Sequence, residues 1–210
     1  MKQNSTFAIA GLILAGGASR RMEQPKASLR AHGDTFVGHV ARALSAAGTA
    51  PNLVVAGVHL EATRAALADA TDLILLTNPA PLRGPISSIA IGLAWLQRDA
   101  AIRGCIIAPV DHPAIEASTI TALIRAARQA THPIVAPLFR GQRGHPTYFA
   151  REVWEELLDP QLAGGARVVV RRDPARVQEL VVTDAGVVRN IDTPEHLAAW
   201  RSTQRPARRS

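Results

Sequence analysis

The sequence predicts an α/β fold, a mainly parallel sheet with helices on both faces. Two observations carry this. Short, continuously apolar runs rich in Ile, Val and Leu recur along the chain, and amphipathic helical patterns alternate with them. Runs of that kind are what strands covered on both faces look like.

The first strand is expected in FAIAGLILA (7–15), which runs directly into the glycine-rich, basic stretch LAGGASRRMEQPK (14–26). TFVGHVARALSAAG (35–48) sets Phe36, Val37, Val40 and Leu44 on one stripe and ends at Gly48, a helix with a stop signal. NLVVAG (52–57) and DLILLT (72–77) are the next strands, separated by the helical LEATRAALADA (60–70). ISSIAIGLAWLQRDA (86–100) leads to the strand GCIIAPV (104–110), and ASTITALIRAARQA (117–130) to PIVAPL (133–138). Beyond 140 the pattern loosens into a glycine-rich turn, a helix near 150–158, a run at 164–172, weak strands and the helical PEHLAAWR. No repeat or low-complexity linker interrupts the chain, so one domain is expected over 1–200. The last ten residues, RSTQRPARRS, hold Arg201, Arg205, Arg208 and Arg209 and read as a basic disordered tail over 201–210.

Composition narrows the function. The chain is 47% hydrophobic and 20% charged, ordinary for a globular protein, and no apolar run reaches the roughly 18 residues of a membrane span. A membrane partner is therefore not expected. The N-terminus faintly resembles a signal peptide, but cleavage there would destroy the glycine-rich loop. With Cys105 as the one cysteine no internal disulfide can form, and a cytoplasmic location is expected. The formal charge of +7 raises nucleic acid as a partner, but much of the excess lies in the tail and aromatics are only 4%, so no nucleic-acid role is expected. Of the 24 basic residues only Lys2 and Lys26 are lysines. A compact ammonium kept inside the loop suits phosphate oxygens in a confined space, although loops tolerate either residue.

Ligands on open parallel sheets bind beyond the carboxyl ends of the strands. Three stretches fall at such ends: the opening loop, NPAPLRGPISS after the third strand, and PVDHP closing the fourth. Gly16 and Gly17 allow a close backbone approach, and Arg20, Arg21 and Lys26 can surround a triphosphate; surface arginines on a strand-to-helix turn are the alternative. Asp111, directly after an apolar strand, is either a hard-oxygen ligand for Mg²⁺ or a turn or capping aspartate, and His112 beside it is a residue type more often structural than ligating. In NIDTPEH (190–196), Asp192 or Thr193 is by default a helix cap before Pro194. GPISS (84–88) places a glycine and two hydroxyls at a helix start, and RGQRGHP (140–146) is a basic turn facing either an anionic substrate or water.

In this order these pieces resemble one family. LILAGGASRRMEQPK (12–26) is similar to the signature LAxGxSxRMGxxK of small nucleotidyltransferases. PVDHP, NP…RGPISSIAIGL, GHP, GGARVVVRR and IDTPEH resemble the MobA/MocA-like group, the molybdenum-cofactor cytidylyl- and guanylyltransferases, over about residues 7 to 200. The resemblance implies a three-layer Rossmann-like fold of the nucleotide-diphospho-sugar transferase type. It implies Mg²⁺-dependent transfer of a nucleotidyl group from CTP or GTP to the phosphate of molybdopterin or its molybdenum form, with pyrophosphate released.

The resemblance also assigns residues. Leu14, Ala15, Gly16 and Gly17 would cradle the base and phosphates, with Ser19, Arg20 and Arg21 continuing the loop. Arg21, Lys26 and Asp111 would be catalytic, the two cations holding the triphosphate and the departing pyrophosphate. Asn78, Gly84, Ser87 and Ser88 would wall the base and ribose; Asp111 and Asp192 would hold the metal. His112, Gly144, His145 and Pro146 would line the side that receives the acceptor. The implied partners are a nucleoside triphosphate, a phosphorylated small-molecule acceptor and a molybdoenzyme receiving the product, with the enzyme a monomer or homodimer.

Two departures qualify the resemblance. Glu23 stands where the signature has glycine; at positive φ it would cost about 1 kcal/mol and its charge would oppose a triphosphate. LAGG follows the guanylyl branch, whereas the cytidylyl branch has LAAG, yet PVDHP and IDTPEH look cytidylyl-like. An acceptor of another kind (sugar phosphate, phosphocholine, phospholactate) keeps the same fold, and a non-catalytic nucleotide-binding protein that delivers a cofactor is the reading Glu23 favours.

Overall fold

The computed structural model describes residues 7–68, 70, 72–129, 132–162 and 164–203. Its strands in chain order are β1 (Ala8–Ala15), β2 (Arg30–Ala31), β3 (Asp34–Thr35), β4 (Asn52–Ala56), β5 (Leu73–Thr77), β6 (Ile102–Pro109), β7 (Ile134–Phe139), β8 (Gln142–Arg143), β9 (Thr147–Ala150) and β10 (Val177–Val181). The α-helices are α1 (Phe36–Ala46), α2 (Leu60–Ala66), α3 (Pro85–Leu96), α4 (Ala117–Gln129), α5 (Trp154–Leu158), α6 (Ala166–Arg172) and α7 (Pro194–Ser202).

The main sheet runs β10-β7-β9-β6-β1-β4-β5, with β8 hairpinned onto β7, while β2 and β3 form a separate small ribbon. β1 pairs in parallel with β4 and β6, as do β4 with β5 and β7 with β10. The exception is β9, antiparallel to both β6 and β7 between them. Its reversed direction matters for the site. Thr147, where β9 starts, pairs with Ile107 near the carboxyl end of β6, so the turn before β9 is delivered to the same edge as the loops that follow the parallel strands.

Successive β1 side chains face opposite layers, as strand geometry requires. Ile9 and Ile13 pack with Phe36, Leu44, Val54 and Leu123 beneath α1, α2, α4 and α7. Ala10 and Leu12 pack with Leu53, Leu93, Ile107 and Trp154 beneath α3, α5 and α6. The three-layer α/β architecture expected from the sequence is thus present. Thr35 caps α1 by accepting the Gly38 N–H at 3.1 Å, and α1 gives out before Gly48, whose φ is +86°.

The C-terminal boundary needs correcting. Of the tail expected over 201–210, Arg201 and Ser202 belong to α7, and the Arg201 guanidinium donates to the Arg30 carbonyl at 2.7 and 3.0 Å. The remaining tail residues, 204–210, lie outside the described residues.

Candidate active site

A cleft of about 950 Å³ opens along the carboxyl edge of the sheet, floored by Leu14, Ile107, Pro109, Ala136, Thr147 and Phe149. Of the residues singled out from sequence, Leu14, Ala15, Gly16, Gly17, Ser19 and Lys26 line it on the β1 side. Gly84, Ser88, Asp111, Gly144 and His145 line it elsewhere. Arg20, Arg21, Asn78, Ser87, His112, Pro146 and Asp192 do not border the cleft.

The loop after β1 is held by its own backbone and by neighbouring segments. Gly16 is buried where a Cβ would come within 2.6 Å of Ser88 Oγ, so any larger residue there would force the Ser88 hydroxyl or the loop to move. His59, just ahead of α2, bonds the Ala18 carbonyl through Nε2 at 3.2 Å. Ser19 turns the chain with φ +51°; its Oγ accepts the Lys26 N–H at 3.0 Å, and its carbonyl accepts the Met22 N–H at 2.9 Å. Met22 is anchored in the core. Glu23 has φ +56° and is exposed, so the left-handed conformation expected at the signature glycine is present and is occupied by a glutamate.

Lys26 Nζ meets carboxylates from two distant segments, Asp111 Oδ2 at 3.1 Å and Asp192 Oδ1. The other Asp192 oxygen accepts from Arg21 at 2.6 Å and from Asn190 Nδ2 at 2.9 Å. A backbone bond from Ile191 N–H to the Asp111 carbonyl at 2.8 Å sets the two acidic segments side by side. The Asp192 side chain is only 8% exposed. Burial opposes its ionisation, but the Lys26 hydrogen bond and charge, with Arg21 adding, outweigh burial and hold its pKa below the ordinary aspartate value.

The capping alternatives are thereby resolved. Thr193 caps α7 by accepting the His196 N–H at 3.3 Å, with Pro194 in the first turn, which leaves Asp192 to face Lys26. Asp111 sits in the turn after β6, six residues before α4, and is not its cap.

On the opposite side of β1, buried Asn78 donates from Nδ2 to Ser87 Oγ at 2.8 Å and to Ser88 Oγ at 2.9 Å, while its Oδ1 accepts the Ala80 N–H at 2.8 Å. Ser87 Oγ donates in turn to the Gly84 carbonyl at 2.7 Å. Asn78 and Ser87 therefore stiffen the turn into α3, whereas Gly84 and Ser88 face the cleft.

The turn before β9 completes the far wall. The Gly144 and His145 N–H groups donate to the Pro137 and Val187 carbonyls at 2.9 and 2.7 Å, and a Cβ on Gly144 would meet the Val187 carbonyl at 2.3 Å. The His112 and His145 rings meet edge to face, 5.0 Å apart. Desolvation, with His112 alongside, pulls His145 down to about 4, and desolvation lowers His112 as well. Both are neutral imidazoles near pH 7 and offer directional hydrogen bonds, while Arg143 of the basic turn RGQRGHP also lines the cleft and pairs with Glu179 at 2.5 Å.

Residues that the sequence reading passed over include His59, Asn190, and Arg83, Arg143, Arg167 and Arg171 on the cleft rim. His59 carried no signal, whereas NIDTPEH already contained Asn190, and NPAPLRGPISS, RGQRGHP and GGARVVVRR contained the four arginines without assigning them a role.

Among the described residues no cluster of three or more His, Cys, Asp or Glu is arranged around a common metal point. Asp111 and Asp192 nevertheless flank one ammonium, a position already selected for positive charge. Two hard carboxylates completed by phosphate oxygens and water suit Mg²⁺ or Mn²⁺, so the residues present fit such an ion.

Residues 11–178 match the MobA-like NTP transferase domain. The chain belongs to that family. It is therefore a nucleotidyltransferase, as the resemblance implied. It is 34% identical over 128 residues to a protein of Opitutus terrae named "Probable molybdenum cofactor guanylyltransferase", a stretch covering 61% of this chain and 60% of that relative. A Mycobacterium marinum protein of the same name is 28% identical over 206 residues, 94% of this chain and 96% of its own length. Among solved structures, Rv0371c of Mycobacterium tuberculosis superimposes with a TM-score of 0.80 at 25% identity, over 94% of this chain and 99% of that one, and its manganese complex has a TM-score of 0.74.

Proposed function

We propose that this MobA-like NTP transferase moves a guanylyl group from GTP to the phosphate of molybdopterin or its molybdenum form and releases pyrophosphate. The observation that carries this reading is the Lys26–Asp111–Asp192 constellation beside a glycine-rich loop, with Lys26 and Asp111 lining one edge of a large cleft and Asp192 bonded to Lys26. Guanine is favoured over cytosine by the names of the curated relatives and by Gly16, the position at which LAGG and LAAG differ, which leaves no room for a Cβ beside Ser88.

In the proposed reaction, loop residues Gly16 to Ser19 hold the triphosphate with backbone N–H groups. Lys26 and Arg21 transfer their hydrogen bonds from the carboxylates to the β- and γ-phosphates and stabilise charge on the leaving pyrophosphate. An acceptor phosphate oxygen attacks the α-phosphorus in line, forming the new P–O bond as the bond to pyrophosphate breaks. Neutral His145 and the Gly144 backbone orient the acceptor. Asp111 and Asp192 would hold Mg²⁺, which supplies Lewis-acid neutralisation of the triphosphate. No protein nucleophile takes part. Residues up to about 200 act as one catalytic domain, and the reaction is assigned to the cytoplasm, in keeping with Cys105 as the one cysteine.

The test is pyrophosphate release by the full chain with GTP, CTP or UTP, with and without molybdopterin, in Mg²⁺ or Mn²⁺. Release only with GTP and molybdopterin is expected. Absence of release with every pair would overturn the catalytic reading, and preference for CTP would overturn the choice of base. Calorimetric titration of Mn²⁺ is expected to show binding to the GTP-loaded protein that Asp111→Asn abolishes.

A further inference from the structure

The cleft has two chemically different flanks. Lys26, Asp111 and Asp192 hang from segments whose apolar neighbours, Ala27, Val110 and Ile191, pack beneath α1, α4 and α7. Across the strand ends lies α6, whose Val169 is buried in the other core layer. Arg167 and Arg171 are four residues apart on α6, hence on one helix face, and both line the cleft. Among the described residues neither makes an ion pair, although the adjoining Arg172 and Arg176 both engage Glu156, at 2.8 and 2.5 Å. Arg83 joins them from the turn before α3, its guanidinium reaching the Pro160 carbonyl, on the loop between α5 and α6, at 3.3 Å.

An unneutralised arginine pair on a cleft wall is a binding surface for an anion. That anion is assigned by position. The triphosphate belongs with the loop after β1 and Lys26, on the first flank, and the phosphate that attacks must meet it there. The second flank adjoins Phe149 and Ala136, on the side where the turn before β9 is expected to receive the acceptor. A guanidinium pair there selects an acceptor carrying a second anionic group besides its reacting phosphate.

We propose that Arg167 and Arg171, assisted by Arg83, bind the non-reacting anionic group of the acceptor and so set acceptor specificity. This rests on the guanylyl-transfer reading. For molybdopterin the non-reacting anion is its dithiolate or, in the molybdenum form, the oxo-molybdenum group. Both present sulfur or oxygen anions to the same pair.

The experiment uses the full chain and the Arg167→Gln/Arg171→Gln double variant, with circular dichroism confirming that the fold is retained. Each is loaded with a GTP analogue that cannot be cleaved between the α- and β-phosphates. It is then titrated with molybdopterin, with and without molybdenum, and bound pterin is measured as its fluorescent oxidised derivative. Acceptor binding at least roughly tenfold weaker in the variant, with affinity for the GTP analogue unchanged within about twofold, supports the proposal. Weakening of only one acceptor form identifies which anion the pair contacts. Equal acceptor affinity in the two proteins would overturn it, as would a matching loss of affinity for the GTP analogue, which would assign the pair to the triphosphate. Because this measures binding, a wild type that holds molybdopterin but releases no pyrophosphate would count against the catalytic reading and leave the arginine assignment standing.

Discussion

The Lys26 ammonium serves two carboxylates at once, Asp111 at 3.1 Å and Asp192 beside it, so a single cation links the loop after β1 to the segments following β6 and preceding α7. The same ammonium is both a structural clasp and a charge available to an incoming phosphate.

Lys26→Met is therefore expected to lower kcat/KM by about a hundredfold or more, the scale of losing one preorganised charge donor. Lys26→Arg should restore little, because a planar guanidinium cannot occupy the small space between the two carboxylates. Steady-state pyrophosphate release, with thermal melts to confirm folding, measures both.

Acid stability should report the same contact. Asp192 is held below its ordinary pKa in the folded state, so its contribution is fully present above the unfolded value and is lost as pH falls through the folded one. Below about pH 4 the wild type should lose stability with this carboxylate as one cause. In Lys26→Met burial acts on Asp192 without its main counter-charge, so the acid slope should flatten or reverse. Denaturant unfolding between pH 6 and 3 distinguishes the two proteins; parallel slopes would contradict the assignment.

Gly16→Ala places a methyl 2.6 Å from Ser88 Oγ, too close to be tolerated without movement. A destabilisation of about 1–3 kcal/mol is expected, with a raised KM for GTP. Ser88→Ala in the same chain removes the hydroxyl responsible and should recover most of the stability. Recovery of stability without recovery of GTP preference would show that the residue at 16 also acts on the base.

Glu23→Gly relieves a left-handed backbone, φ +56°, and removes a negative charge from the phosphate loop. A gain of about 1 kcal/mol is expected, which for a chain of this size raises Tm by about 2–4 °C. KM for GTP should fall, and fall further at low ionic strength. An unchanged Tm would indicate that the loop already compensates for the glutamate.

The fold was legible wherever burial is two-sided. Runs such as NLVVAG and GCIIAPV can be little other than central strands, and Gly48 and Pro194 mark helix limits by local chemistry. β9 was not legible. Four residues, TYFA, carry no periodicity, and their antiparallel pairing is decided by neighbours from elsewhere in the chain. In the site, Lys26, Asp111 and Asp192 were found by residue type and placement. That Thr193 takes the cap and leaves Asp192 to Lys26 is decided by where α7 starts, which residue type does not encode. Arg167 and Arg171 stood inside the run GGARVVVRR without an assigned role: in a chain so rich in arginine, it is their place on the cleft wall that sets them apart.

The backbone bond between Ile191 and Asp111 has a consequence for how the enzyme can be altered. The spacing of the two acids is set by main chain, so it is insensitive to which side chains surround it. Exchanging the base-recognising loop for that of a relative should therefore change nucleotide choice without dismantling the acidic pair. A substitution to proline at 191 would do the reverse, leaving every recognition residue in place while the two carboxylates lose their common frame.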